Sequence, residues 1–265
     1  MSIDRYIDSL ALAPASNSRA SFSGSVERAP TPRAMGAAVL PPTAPSLPEK
    51  LTSAVDANAL LSFVEGISPQ ERDDVLFSVQ LAVRGASGVF DRFTQTQAWY
   101  QKYAEVLENL GWVAEQFAFT RYDQAEGEMR MDQAALAVIA AIASQNQLAV
   151  LRESITALEK LAEDDGTIRL FDFHSSTQAS GNFQIGAVQR ANNGALSLAL
   201  GAFYFRSTDS RRRFLFFSWG AQQVNFWTSA QKLTLNTSFY SPLREAVQRK
   251  LGVDSLDYIA ALTTA

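Results

Sequence analysis

The chain has no cysteine among its 265 residues. That excludes a disulfide framework, thiolate metal ligation and a cysteine nucleophile. It leaves the compartment open, because a thiol-free chain suits the cytoplasm and equally suits export by a non-Sec route in which stray disulfides would be harmful. Histidine is almost absent too. With His174 alone, no site can use two imidazoles, and the His-Glu-x-x-His metal pattern is excluded. There is no basic excess: 23 Lys+Arg against 27 Asp+Glu give a formal charge of −4. A phosphate backbone would call for the opposite balance, so no nucleic-acid partner is expected. No apolar run reaches the ~18–20 residues that a transmembrane helix needs; the smoothest, AALAVIAAIA at residues 134–143, is about half that. The N-terminus MSIDRYIDSLALAPAS is not read as a signal peptide, since Asp4 and Asp8 interrupt the region that should be basic and then apolar. Neither a Walker loop, a dinucleotide fingerprint nor a Gly-x-Ser-x-Gly elbow occurs, so no cofactor is expected.

What is present is a globular composition, 47% hydrophobic and 11% aromatic, with ample material for a core. Residues 1–50 stand apart. Seven of the nine prolines lie there, between Ser, Ala and Thr. Such a segment has too little apolar density to offset its conformational entropy and reads as a disordered tail, inert or an export or packaging address. Within it Ile3, Tyr6, Ile7 and Leu10 can share one face of a short helix. Residues 51–265 read as a single α+β domain: mainly helical over 51–163, an antiparallel sheet over 167–238, and C-terminal helices over 242–262.

Leu51, Val55, Ala59 and Phe63 have helical spacing and predict a helix over 51–64. Ser68-Pro69-Gln70-Glu71 is a helix start with a capping box. That helix should break or kink at Gly85 and Gly88, and a second should run over 89–110 to Gly111. Residues 112–122 alternate as a strand, 133–144 and 148–162 read as helices, and 123–131 as a polar loop. Ten of the 17 Phe then fall between Phe171 and Phe239. Strands are predicted at 167–174, 182–190, 195–206, 211–219, 222–228 and 232–237, with a hairpin at Asn192-Asn193-Gly194. The result is a five- to six-stranded antiparallel meander. Residues 195–206 are apolar on both faces, so the sheet should be covered on both sides, and the small residues Ala199 and Gly201 should let another element approach closely. Helices are expected again at 243–251 and 255–262.

Two surfaces are candidates for chemistry. Asp172, His174, Ser175 and Ser176 are the one set from which a Ser–His–Asp system could be drawn. On a strand, however, neighbours at i and i+2 sit about 6.5–7 Å apart, awkward for a direct hydrogen bond. Arg206, Arg211, Arg212 and Arg213 bracket a predicted hairpin tip beside Tyr204. Basic and aromatic residues together can meet anionic lipid headgroups. The acidic groups Glu163, Asp164, Asp165, and Glu115, Asp123, Glu126, Glu128 have no calcium-loop spacing and read as solvated charge, so no metal site is expected. The leading reading is a non-enzymatic binding protein, an exported bacterial effector or toxin-like factor that contacts a membrane surface or a protein partner. The alternatives are a hydrolase built on Asp172 and His174 with a nearby serine, and a structural subunit of a homo-oligomer.

Overall fold

A computed structural model of the chain describes residues 2–13, 51–114, 117–122, 128–177, 179–208, 213–220, 223–252, 255 and 259–262. The predicted tail, beyond its first turns, lies outside them. In chain order the elements are α1 (Ile3–Ser9), β1 (Ser53–Asp56), β2 (Ala59–Phe63), α2 (Pro69–Ser87), α3 (Thr96–Asn109), β3 (Trp112–Val113), β4 (Thr120–Arg121), β5 (Glu128–Arg130), α4 (Met131–Ala140), α5 (Gln145–Lys160), α6 (Gly166–Ser175), β6 (Ser180–Arg190), β7 (Leu196–Ser207), β8 (Ser218–Gly220), β9 (Val224–Leu235), α7 (Thr237–Tyr240), α8 (Arg244–Leu251) and β10 (Ile259–Leu262).

The α+β class holds, but the sheet is larger than a six-stranded meander and is mixed. Its order is β10-β1-β2-β6-β7-β9-β3, with β4 also on β9. The β2–β6 pair is parallel, so the chain crosses from β2 to β6 through five helices, α2 to α6, before the long strands begin. The spine is β6–β7–β9, strands of 11, 12 and 12 residues. The predicted turn at 192–194 joins the first two: Gly194 takes φ +83° and Asn193 Oδ1 accepts from Ala195 N.

Register explains why both faces are apolar. Leu198 lies between Val188 and Leu233, and Phe203 between Phe183 and Thr228. Directly opposed residues share a face, so each strand sends alternate side chains into two cores. On one face Val188, Leu198, Leu200 and Leu233 join Phe77 and Leu81 of α2, Trp99, Tyr103 and Leu107 of α3, and Val247 of α8. On the other, Phe183, Ile185, Phe203 and Phe226 join Ile139 of α4, Leu151 and Ile155 of α5, and Phe171 of α6. Phe183, Phe203 and Phe226 stack in sequence at 5.0 and 5.7 Å. The sheet is therefore covered on both sides, as its two-faced hydrophobicity requires. A Cβ at Gly201 would run into the Phe203 ring and into Ile139, so its absence makes room for that ring and for α4 against β7.

Local signals account for several elements. Ser68 Oγ accepts from Glu71 N while Glu71 accepts from Ser68 N at 2.9 Å, the expected capping box. The helix it starts passes through Gly85 without breaking and ends only at Ser87; a Cβ at Gly85 would meet Val106 and Leu10 at ordinary contact distance. Five predictions are corrected. Residues 51–64 form the β1–β2 hairpin, with Ala57 at φ +51° in its two-residue turn and Asp56 paired with Ala59; every residue of both strands is buried, which removes the alternation that marks a strand. Residues 167–174 belong to α6, because Asp165 caps its start by accepting from Thr167 N at 2.7 Å. Residues 213–217 form turns, and β8 pairs with β5 in a separate two-stranded sheet. The C-terminal segment ends in β10, paired with β1. The two strands predicted at 222–228 and 232–237 are one continuous β9.

Candidate binding surface

The predicted catalytic set lies on α6 and not on a strand. On a helix, positions i and i+2 point about 200° apart, so Asp172 and His174 leave the axis on nearly opposite sides. His174 and Ser175 are buried. Burial pushes the His174 imidazole down to about 3, with the Arg92 charge adding to it; the ring is neutral and packs edge-on against Phe173 at 5.1 Å. Asp172 Oδ2 accepts from the backbone N of Arg213 at 2.8 Å, and Ser176 Oγ donates to the Asp172 carbonyl at 2.9 Å. These groups tie the C-terminal end of α6 to the 213 turn.

The arginines divide as well. Arg211 and Arg212 lie outside the described residues. Arg213 turns inward: its guanidinium donates to the carbonyls of Leu161, at 2.8 Å, and Glu159, at the C-terminal end of α5. There it offsets the negative end of the helix dipole. Arg206 is exposed at the end of β7. Because 213–217 is not a partner strand of β7, Arg206 and Arg213 do not share a hairpin tip. The strand beside Arg206 is β9.

That pairing assembles a surface from residues far apart in sequence. Arg121 of β4 stands opposite Trp227 of β9, and Trp227 opposite Tyr204 of β7. All three therefore project on one face, in a row across the sheet. The Tyr204 and Trp227 rings stack at 4.6 Å with an 8° tilt, and Phe119 meets Tyr204 edge-on at 5.1 Å. Arg206 stands opposite Asn225, whose Oδ1 accepts from Arg121 Nη2 at 2.8 Å. Two exposed guanidinium-bearing residues thus flank a half-buried aromatic pair. Burial raises the Tyr204 phenol above its ordinary value, against the opposing effect of Arg206. Sequence reasoning found Tyr204 and Arg206 but missed Trp227 and Arg121. The signal was the alternation of β9 and β4, and only the register shows that they meet.

Beside the row runs a groove between α3 and the segment 117–119. It comprises two adjoining cavities of about 300 and 230 Å³. Thr96, Gln97, Gln101, Glu105 and Glu108 form the α3 wall, and Phe117, Phe119 and Tyr204 the aromatic wall. The α3 positions recur at helical spacing, so one face of the helix supplies the whole polar side. Among the described residues no group of three His, Cys, Asp or Glu could hold a metal ion. No described helix is long and apolar enough to cross a membrane.

No family model matches the chain, and no curated protein does. Solved structures give loose superpositions. A delta-endotoxin is 13% identical with a TM-score of 0.42, covering 78% of this chain and 90% of that one. The Evf virulence factor is 9% identical with a TM-score of 0.35, covering 82% and 93%. The activated Cyt2Ba monomer from Bacillus thuringiensis subsp. israelensis is 12% identical with a TM-score of 0.39, covering 68% and 97%. At these scores and identities the likeness carries no residue role and no activity across.

Proposed function

We propose that this chain acts by binding and not by catalysis, and that the β4–β9–β7 end of its sheet docks on an anionic membrane surface. The observation that carries this reading is the row Arg121–Trp227–Tyr204 with Arg206 beside it. Tyr and Trp favour the membrane–water interface, where an apolar ring and a polar edge are both satisfied. A guanidinium near an anionic surface contributes about 1 kcal/mol. Here two such groups flank a stacked pair held rigidly by strands, so little side-chain entropy is lost on docking. A protein of this kind would be an exported effector or toxin-like factor, with the Pro-rich N-terminal segment as its address.

The reading is tested with vesicles carrying anionic lipid. Trp227 should be quenched by lipids brominated near the headgroup, and Trp227→Phe should lose that quenching. Vesicles of neutral lipid, or about 1 M salt, should release the protein, since the Debye length then falls to about 3 Å. Quenching that is absent, or that survives Trp227→Phe, would remove the proposal. Retention by a protein partner under conditions where vesicles fail would move the same surface to protein binding.

A further inference from the structure

The groove between α3 and residues 117–119 has a chemistry that the arginine row does not use. One wall is aromatic. Phe117 and Phe119 are half-buried, and both pack on Tyr100 of α3, at 5.0 and 4.9 Å between ring centres. Phe117 also meets Tyr103 at 5.8 Å, and Phe119 meets Tyr204 at 5.1 Å with the ring planes 67° apart. Tyr100 and Tyr103 are buried, so the two Phe rings rest on a fixed backing. Phe119 and Tyr204 then make a corner of two π surfaces. The facing wall is polar and, where charged, negative: it holds Glu105 and Glu108, and no Lys or Arg lines either cavity. Glu105 is already shared, since its Oε1 accepts from Lys102 Nζ at 2.7 Å and from Tyr6 Oη at 3.0 Å. Glu108, three residues on and exposed, is the carboxylate left open to the groove.

An aromatic corner faced by a carboxylate suits a cation that brings no hydrogen-bond donors. The negative face of a ring attracts a cation lying within about 6 Å of its centre. A primary ammonium has three N–H donors, and Phe rings offer no lone pair to replace the water it would lose. A trimethylammonium group has no N–H to satisfy, and its methyl groups gain apolar contact with the same rings. We infer that this groove is a binding site for a quaternary ammonium group and that its occupant is the choline headgroup of a lipid.

Taking the cation from a lipid rests on the membrane-docking reading, because Tyr204 belongs both to the groove and to the row that faces the membrane. Arg206 lies two residues along β7 from Tyr204, on the same face and about 6.5–7 Å away. A choline headgroup carries its phosphate two methylene groups from its nitrogen. With the trimethylammonium against Phe119 and Tyr204, that phosphate falls on the Arg206 side, where a guanidinium can meet it. A cation–π contact alone gives a modest gain. The site therefore sorts among vesicles that the arginines already hold, and it does not retain the chain on neutral lipid.

The test has one arm without a membrane and one with it. In the first, tetramethylammonium chloride is titrated into the full chain and read by saturation transfer to its methyl protons, with sodium chloride keeping the ionic strength constant. The wild type should bind it. Phe119→Leu, which keeps apolar bulk and removes the ring, should bind roughly 2- to 30-fold more weakly. Glu108→Gln changes an exposed side chain and should weaken binding roughly 2- to 5-fold; it carries this arm if Phe119→Leu does not fold. In the second arm, a fixed fraction of phosphatidylglycerol is placed in phosphatidylcholine or in phosphatidylethanolamine. The wild type should partition roughly 2- to 30-fold more strongly onto the choline mixture, and tetramethylammonium at constant ionic strength should remove the difference. No saturation transfer, or equal binding by the wild type and both variants, would overturn the cation site and leave the arginine row standing. Tetramethylammonium binding with equal partitioning onto the two mixtures would overturn the lipid as occupant. Tetramethylammonium binding with no partitioning onto either mixture would sink the docking reading and the lipid occupant together. A trimethyl-lysine peptide that binds where choline vesicles show no preference would overturn the proposal in favour of a protein partner.

Discussion

Arg213 offers the sharpest test of how the arginines divide. Its guanidinium reaches two carbonyls at the C-terminal end of α5, and its backbone N donates to Asp172. Hydrogen bonds involving a charged group contribute about 1.5–3 kcal/mol each, and the helix dipole adds about 0.3–1 kcal/mol. Two bonds from a part-buried side chain share one desolvation, so Arg213→Ala should cost roughly 2–4 kcal/mol. For a chain of this size that lowers Tm by roughly 4–16 °C. The backbone supplies an internal control. Arg213 sits at φ +52°, where a Cβ costs about 1 kcal/mol and glycine fits without strain. Arg213→Gly removes the same guanidinium and relieves that strain, so it should be more stable than Arg213→Ala by roughly 0.5–1 kcal/mol. Denaturant unfolding followed by tryptophan fluorescence measures both. An Arg213→Ala chain within about 0.5 kcal/mol of wild type, or one more stable than Arg213→Gly, would refute the inward clamp. Neither variant should change binding to vesicles.

Two further outcomes follow from buried charge. Arg244 makes a two-pronged pair with Asp74 at 2.7 Å on each prong, and Asp74 is almost fully buried. Arg244→Met strands that carboxylate and should cost roughly 3–5 kcal/mol, whereas Arg244→Met with Asp74→Asn should recover part of it; equal losses in the two chains would show that α8 is not held to α2 by this pair. His174, neutral in the folded chain with its value pushed down to about 3, makes folding proton-poor relative to the unfolded state below pH 6.5. Stability should therefore fall as pH drops from that value towards about 3. His174→Gln should remove this part of the acid slope, and an unchanged difference between the two chains from neutral to acid pH would contradict the buried neutral ring.

The sequence resolves best where one local signal decides the outcome. Ser68 and Glu71 cap α2 whatever lies above them, and Asn193-Gly194 turns β6 into β7 because few other residues accept that backbone. The apolar character of residues 195–206 on both faces was enough to require cover on both sides. It resolves worst where burial is complete. In β1 and β2 every side chain is inside, so fourfold spacing from Leu51 to Phe63 imitates a helix while the strands are fixed by partners more than a hundred residues away, β6 and β10. In α6 the aromatic run hid a helical set, Ile168, Phe171, His174 and Ser175, that becomes visible once Asp165 is read as a cap. The arginine–aromatic row is a product of register. Tyr204 and Arg206 could be suspected from their own strand, but Arg121 and Trp227 join them only because β4, β9 and β7 pair with these residues opposed.

The partition coefficient onto vesicles of anionic lipid, compared between the wild type and the double variant Arg121→Ala with Arg206→Ala, tests the membrane-docking reading most directly. At about 1 kcal/mol for each arginine, the double variant should bind roughly 30-fold more weakly, with unfolding curves that match the wild type because both side chains are exposed. Equal partitioning of the two chains, or a wild type that ignores anionic vesicles altogether, would contradict it.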